Sequence, residues 1–303
     1  MTPIRNFDAL ATHLAANTTG RVRVAVVMPH DDATLEAVAR AMSLGVIDCR
    51  LYDVAPAKVP HELREFESRC ETVEVPDADA AARAAVADVR DGKADVLMKG
   101  LINTDNLLRA VLDKQHGLLP AGAVLSHITA MEVPDRDKML FASDVAVIPF
   151  PTPEQHAAIL GYLLKACRAF GIERPRVALV HCSEKLSPKF PVTGAYAALV
   201  KRAEAGEWGD AAVYGPIDVK TACDSHAARV KGINSEVCGH ADALVFPDIE
   251  AGNVFYKTMT CFGGALAAGT LAGTTAPVVL PSRSDDAASK FASLALATLL
   301  AGA

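Results

Sequence analysis

Residues 21–45 read RVRVAVVMPHDDATLEAVARAMSLG. The valine-rich run RVRVAVVMP (21–29) predicts a buried strand. DDATLEAVARAMSLG (31–45) predicts a helix, with Asp31 or Asp32 as its cap and Gly45 closing it. A strand handing over to a capped helix is one βα unit, and the rest of the chain repeats it.

VIDCRLYD (46–53), a polar helix near HELREFESRC (61–70) and TVEV (72–75) come next. They are followed by the helix AARAAVADVRDG (81–92), the strand DVLMKG (95–100) and the helix TDNLLRAVLDKQ (104–115). Strands apolar on both faces, alternating with helices, predict a parallel sheet covered by helices. Between 123 and 148 the rhythm changes: AVLSHITAMEV, KMLFASD and VAVIPF predict additional strands, open to antiparallel pairing. IPFPTPEQ (148–155) is the expected domain boundary, because proline stiffens the connection and starts the helix PEQHAAILGYLLKACRAFG (153–171). A second series runs RVALVHCS (176–183), TGAYAALVKRAEAG (193–206), DAAVYGP (210–216), ADALVFPD (241–248), EAGNVFYKTMTCFGGALAA (250–268) and APVVLP (276–281). A final helix extends to residue 300. The expected fold class is α/β in two domains, with chemistry sought just after strands, where helix N-termini point at ligands.

Composition narrows the function. The 303 residues are 51% hydrophobic and 22% charged, which suits a well-packed enzyme. The formal net charge of −6 is spread without a basic face, so no nucleic-acid partner is expected. No run approaches the ~20 apolar residues of a membrane helix, and MTPIRNFDALATHL lacks a secretory layout, so the expected place is the cytoplasm, away from membrane. Seven scattered cysteines without a CxxC pair predict reduced thiols rather than disulfides or a zinc site; no metal is expected.

Five post-strand segments carry candidate chemistry. In MPHDD (28–32), an aspartate cap accounts for the pattern and His30 is a candidate contact. In MKGLINTDNLLR (98–109), Lys99 and Gly100 stand at a strand end, Thr104 is a plausible N-cap, and Arg109 could reach back toward a ligand. Lysine, glycine and a helix N-terminus suit an anion, yet a structural turn explains them equally; the spacing is not a Walker motif. HCSEKLSPKFPVTGAYAAL (181–199) offers Lys185 and Lys189 as ligand contacts or solvated charges. In VFPDIEAGNVFYK (245–257), the helix dipole explains Asp248 and Glu250, but not the polar stripe of Asn253 and Lys257. In LPSRSDD (280–286), Ser282 and Arg283 could bind an oxyanion, while Ser284 and Asp285 could simply cap a helix.

In chain order, AVVMPHDDATLEAV, DVLMKGLINTDNLLRAVL, AVLSHITAMEV, FASDVAVIPFPTPEQ, SPKFPVTGAYAAL, GPIDVKTA, DALVFPDIEAGNVFYK and VVLPSRSDDAASK resemble the phosphate acyltransferase family, meaning phosphate acetyltransferases and phosphate butyryltransferases. The resemblance implies two α/β/α domains with a central cleft, of the isocitrate/isopropylmalate dehydrogenase-like kind. Its C-terminal helix returns to the first domain, which gives expected domains 1–149 plus 281–303 and 150–280, with the active site in the cleft. It also implies a homodimer and the reaction acyl-CoA + phosphate = acyl phosphate + CoA, with acyl-CoA and phosphate as small-molecule substrates and no tightly bound cofactor. Ser282 and Arg283 match the family's Ser-Arg pair. In the acetyltransferase pattern an aspartate seven positions after the serine handles the CoA thiol proton; here that position is Ser289. MKG at 98–100 likewise replaces a VSG-like sequence, and both departures resemble the butyryltransferase branch. The implied catalytic set is Ser282, Arg283 and, for proton transfer, Asp285 or Glu250. Lys99, Gly100, Thr104, Arg109, Lys189, Asp248, Asn253 and Lys257 form the implied substrate-binding set. The alternative is an acetyl-specific enzyme. A metal-dependent hydroxy-acid dehydrogenase would need a spaced aspartate set and a GxGxxG, both absent from the sequence. The Ser-Arg pair argues against a non-catalytic CoA-binding relative.

Overall fold

The 21–45 stretch forms β1 (Val22–Val27) and α2 (Asp32–Ser43), preceded by α1 (Phe7–Asn17). Val24 to Val27 are fully buried, and Asp31 caps α2 by accepting the Thr34 N–H at 2.9 Å. Gly45 closes the helix at φ 75°, a left-handed conformation that favours glycine. The computed structural model describes residues 2–17, 20–54 and 59–302.

β2 (Ile47–Asp53), β3 (Cys70–Glu74), α3 (Ala78–Arg90), β4 (Val96–Lys99) and α4 (Thr104–Val111) follow. The polar helix expected near 61–70 is instead a 3-10 helix, His61–Arg69, bent at Phe66. Leu63 is its buried residue, so it lacks the apolar stripe that would hold an α-helix. α4 stops before the expected residue 115, because the Asp113 carboxylate accepts the N–H groups of Gln115 and His116 at 2.9 and 2.7 Å.

β5 (Ser126–Glu132) and β6 (Leu140–Ser143) pair antiparallel. The strand expected at VAVIPF does not form. Asp144 accepts the N–H groups of Ala146, Val147 and Ile148 at 2.7, 2.9 and 3.2 Å, taking donors a ladder would need. α5 (Pro153–Ala169) starts in a Thr152–Gln155 capping box with proline at its first position. Then come β7 (Arg176–Val180), α6 (Pro191–Glu204), β8 (Ala212–Ile217), α7 (Val219–Cys223), α8 (Ser225–Lys231), β9 (Ala243–Val245) and α9 (Ile249–Cys261). The 250–268 run is therefore not one helix. It breaks at Gly263 and Gly264, the latter at φ 63°, and continues as β10 (Leu266–Ala272). β11 (Val278–Val279) and α10 (Ala287–Ala301) complete the chain.

The chain divides into an N-terminal unit, Phe7–Leu125 with Leu266–Ala303, and a middle unit, Met1–Asn6 with Ser126–Ala265. In the N-terminal unit the strand order is β3-β2-β1-β4-β11-β10, parallel except for β10 against β11. α10 packs against α2, α1 and β10. In the middle unit the order is β5-β6-β9-β7-β8, parallel apart from β5 against β6. The divisions thus fall after Leu125 and Ala265, not after 149 and 280. Pairing decides this: β6 joins β9 in the middle unit, and β11 joins β4 in the N-terminal one. Met1 and Ala303, the ends of the expected spans, lie outside the described residues. Among those residues, no helix is long and apolar enough to cross a membrane.

Candidate active site

Parallel neighbours end at the same edge of a sheet, so β1, β4 and β11 deliver three loops to one place. Their first residues are Met28, Gly100 and Leu280.

Gly100 sets the spacing between two of the loops. Its N–H donates to Val27 O at 2.8 Å, and a Cβ there would stand 2.3 Å from Met28 O. Only glycine lets the β1 and β4 loops approach this closely. Lys99, just before it, is 3% exposed, and its Nζ donates to Gly100 O at 3.2 Å and Pro281 O at 3.3 Å. Burial first, and then the charges of Arg283 and Lys290, hold the Lys99 pKa below its ordinary value; Asp31 and Asp285 pull the other way.

The Ser-Arg turn closes on itself. The Ser282 N–H donates to Asp285 Oδ2 at 2.8 Å, and the Ser282 and Ser284 hydroxyls lie 3.0 Å apart. Arg283 Nη2 donates to Asn103 Oδ1 at 2.6 Å. The cap of α10 is Asp286, not Ser284 or Asp285, and it accepts the Ser289 N–H at 2.8 Å. Asn103, not Thr104, is the N-cap residue of α4; Thr104 is its exposed first residue. Ser282 and Arg283 are exposed, as a ligand would require.

Sequence reasoning missed two partners beneath this surface. Lys290, 3% exposed, pairs with Asp31 and donates to Thr34 Oγ1 at 3.2 Å. Burial works against the Asp31 carboxylate, but Lys290 and Thr34 outweigh it and keep its pKa below the ordinary value. A signal existed: a lysine in the first turn of a helix opposes the dipole and needs a reason to be there.

Arg109 is not part of this cluster. It stands in the last turn of α4 and lines a cavity of about 370 Å³ between α3 and α4, together with Arg83, Arg90, Asn106, Asp113 and His116.

In the middle unit, the PDIEAGN residues dock α9. Asp248 caps the helix by accepting the Ala251 N–H at 2.8 Å, and Asn253 Nδ2 donates to Val145 O at 3.0 Å. Gly252 lies so close to Asp144 that a Cβ would meet its carbonyl oxygen at 2.1 Å. Asp144 itself is buried and accepts the Ser126 hydroxyl at 3.0 Å. Glu250 and Lys257 are exposed on α9, Lys257 Nζ lying 5.1 Å from the Tyr256 ring centre. Lys189 is exposed in the loop before α6, where its N–H donates to Ser187 Oγ at 3.3 Å.

An exposed guanidinium and hydroxyl above a buried lysine make an anion-handling surface in the N-terminal unit. Residues 71–298 match the family described as phosphate acetyl/butaryl transferase. A phosphate butyryltransferase of Clostridium acetobutylicum is 40% identical over 286 residues, which cover 92% of this chain and 93% of that protein. A phosphate acetyltransferase of Rhizobium meliloti is 39% identical, covering 91% of this chain and 88% of that protein. In structure the chain is similar to a branched-chain phosphotransacylase from Enterococcus faecalis, with a TM-score of 0.82, 30% identity, and 92% and 99% of the two chains covered. The chain belongs to the phosphate acetyl/butyryl transferase family and is a phosphate acyltransferase.

Proposed function

We propose that the reaction is acyl-CoA + phosphate = acyl phosphate + CoA, with a short acyl group of butyryl type. The observation that carries this reading is the meeting of Lys99, Asn103 and Ser282–Arg283 at the carboxyl edge of β4 and β11. Arg283 binds phosphate and the charge that grows as a phosphate oxygen attacks the thioester carbon, a fork geometry that lysine does not copy. Ser282 hydrogen-bonds the thioester; losing one such donor costs about 3–4 kcal/mol in the transition state. Gly100 lets the phosphate approach the backbone, and Thr104 presents the first turn of α4 to it. Arg109, with Arg83 and Arg90 in the same cavity, suits the phosphates at the nucleotide end of CoA. Lys189, Asp248, Asn253 and Lys257 serve the remainder of acyl-CoA, Asp248 and Asn253 by fixing α9. Butyryl rather than acetyl preference is supported by Lys99 and Ser289, the two departures shared with the butyryltransferase branch. CoA is a substrate in this reading, with no tightly bound cofactor. The protein is a cytoplasmic homodimer with an isocitrate/isopropylmalate dehydrogenase-like fold.

The test is phosphate-dependent release of CoA thiol from acetyl-, propionyl-, butyryl- and isobutyryl-CoA. Butyryl- or isobutyryl-CoA should be fastest, and Arg283→Ala should abolish release with its circular dichroism unchanged. Near-normal turnover in that variant overturns the reading.

A further inference from the structure

We propose that Lys99 is the acid–base group that carries the proton between phosphate and the CoA sulfur. The inference rests on the reaction proposed above and adds the residue that moves its proton.

The carboxylates around the Ser-Arg turn are already engaged. Asp31 is held by Lys290 and by Thr34, Asp285 accepts the Ser282 N–H, and Asp286 accepts the Ser289 N–H. Ser289 itself has no ionisable side chain for this task. The Arg283 guanidinium is a donor only and offers no lone pair to accept a proton. Lys99 differs from all of these. Among the described residues no carboxylate pairs with it, and its two hydrogen bonds go to the backbone carbonyls of Gly100 and Pro281. An ammonium has three N–H groups, so one position is left for substrate. Pro281 directly precedes Ser282, which puts the amine under the turn that receives the anion.

The surrounding charges favour release of a proton from this amine. Arg283 from the turn and Lys290 from α10 are the cations acting on it; Asp31, which caps α2, and Asp285 oppose them in part. Burial acts in the same direction as the two cations. A lysine placed this way gives up its proton more readily than a solvated one.

The step balances without any further reagent. A phosphate oxygen of hydrogen phosphate forms the new C–O bond, and the C–S bond breaks. The Lys99 ammonium gives its proton to the departing thiolate, and the neutral amine then takes the proton of the acyl phosphate. In the other direction, neutral Lys99 removes the thiol proton of CoA before sulfur attacks acyl phosphate.

Three variants test this in the full-length protein. Lys99→Arg keeps the charge but has no neutral form at working pH, and Lys99→Met removes both. Each should lower kcat roughly 10²–10⁴-fold, with the KM for phosphate near wild type in Lys99→Arg. Lys290→Met should keep activity in kind but move the rising limb of the pH profile, in the acyl phosphate plus CoA direction, to higher pH. That variant removes a cation and leaves Asp31 unpaired, and both changes favour protonated Lys99. A limb set by the CoA thiol itself would stay where it is. Lys99→Arg with wild-type kcat and only a raised phosphate KM overturns the proposal, as does an unmoved limb in Lys290→Met. If Lys99→Arg fails to fold, the limb in Lys290→Met decides alone. A wild-type protein that releases no CoA in response to phosphate refutes the underlying reaction instead, which separates the two failures.

Discussion

Arg283 donates a guanidinium N–H to the side-chain oxygen of Asn103 at 2.6 Å, across 180 residues of sequence. The contact follows from β4 and β11 being parallel neighbours: their loops leave the same edge, and Asn103 opens the helix after one while Arg283 follows the other. One donor of the fork is used in aiming it, and the rest remain for an anion.

Asn103→Ala should therefore impair turnover without touching the core. A hydrogen bond to a charged group contributes about 1.5–3 kcal/mol, so kcat/KM for phosphate should fall roughly ten- to a hundredfold. Thermal melting should be unchanged, since both side chains are exposed. Steady-state kinetics against phosphate check this. Unaltered kinetics would mean that Arg283 is aimed by something else.

Gly252 tests the role of the PDIEAGN segment. With a Cβ only 2.1 Å from the Asp144 carbonyl oxygen, Gly252→Ala must push α9 away from the Asp144 loop. Overpacking of this kind destabilises by about 1–3 kcal/mol, seen as a lower Tm. Asn253→Ala, which loses the bond to Val145 O, should cost less, about 0.5–1.5 kcal/mol. A raised KM for acyl-CoA with unchanged melting in Asn253→Ala would assign that amide to substrate rather than to helix docking.

The Asp31–Lys290 pair should show strong coupling. Lys290 is nearly fully buried, so Asp31→Ala leaves an ammonium without its counter-charge, a loss of about 3–5 kcal/mol. Lys290→Met removes the buried charge and should be milder. Adding Lys290→Met to Asp31→Ala should recover most of the stability in denaturant titrations. Additive losses would show that the two side chains act separately.

The alternation of strands and capped helices was legible because periodicity and caps are local. The division into units was not. That depends on which strand pairs with which, and nothing near residue 126 or 266 announces that β6 will join β9 or that β11 will join β4. VAVIPF has strand composition, but Asp144 takes the N–H groups of residues 146, 147 and 148 for a turn. Ser282 and Arg283 were readable through their company in the sequence, whereas Asn103 was hidden beside Thr104, an equally good cap by residue type. Arg109 lies apart from the Ser-Arg turn for a geometric reason: α4 is short, so this residue belongs to its last turn and lines the cavity between α3 and α4.

Ser289 is the position where an acetyltransferase-like sequence would carry aspartate, and the local geometry says what that exchange should do. It is the third residue of α10, with its N–H held by Asp286 and its carbonyl accepting the Ser293 hydroxyl at 3.0 Å. An acidic side chain in the first turn of a helix is favourable by about 0.3–1 kcal/mol, so Ser289→Asp should fold at least as well as wild type. In the wild-type background the new carboxylate duplicates a role that Lys99 already fills, and butyryl-CoA turnover should change little. In the Lys99→Arg background the same substitution should recover roughly tenfold of the lost rate, a small share of what a well-placed base supplies. The recovered activity should also persist to lower pH, because a carboxylate stays deprotonated where a lysine does not. Assays of both double and single variants with acetyl- and butyryl-CoA read this directly. No recovery in the double variant would place residue 289 out of reach of the thiol in this branch, leaving the acid–base work to the strand end at Lys99.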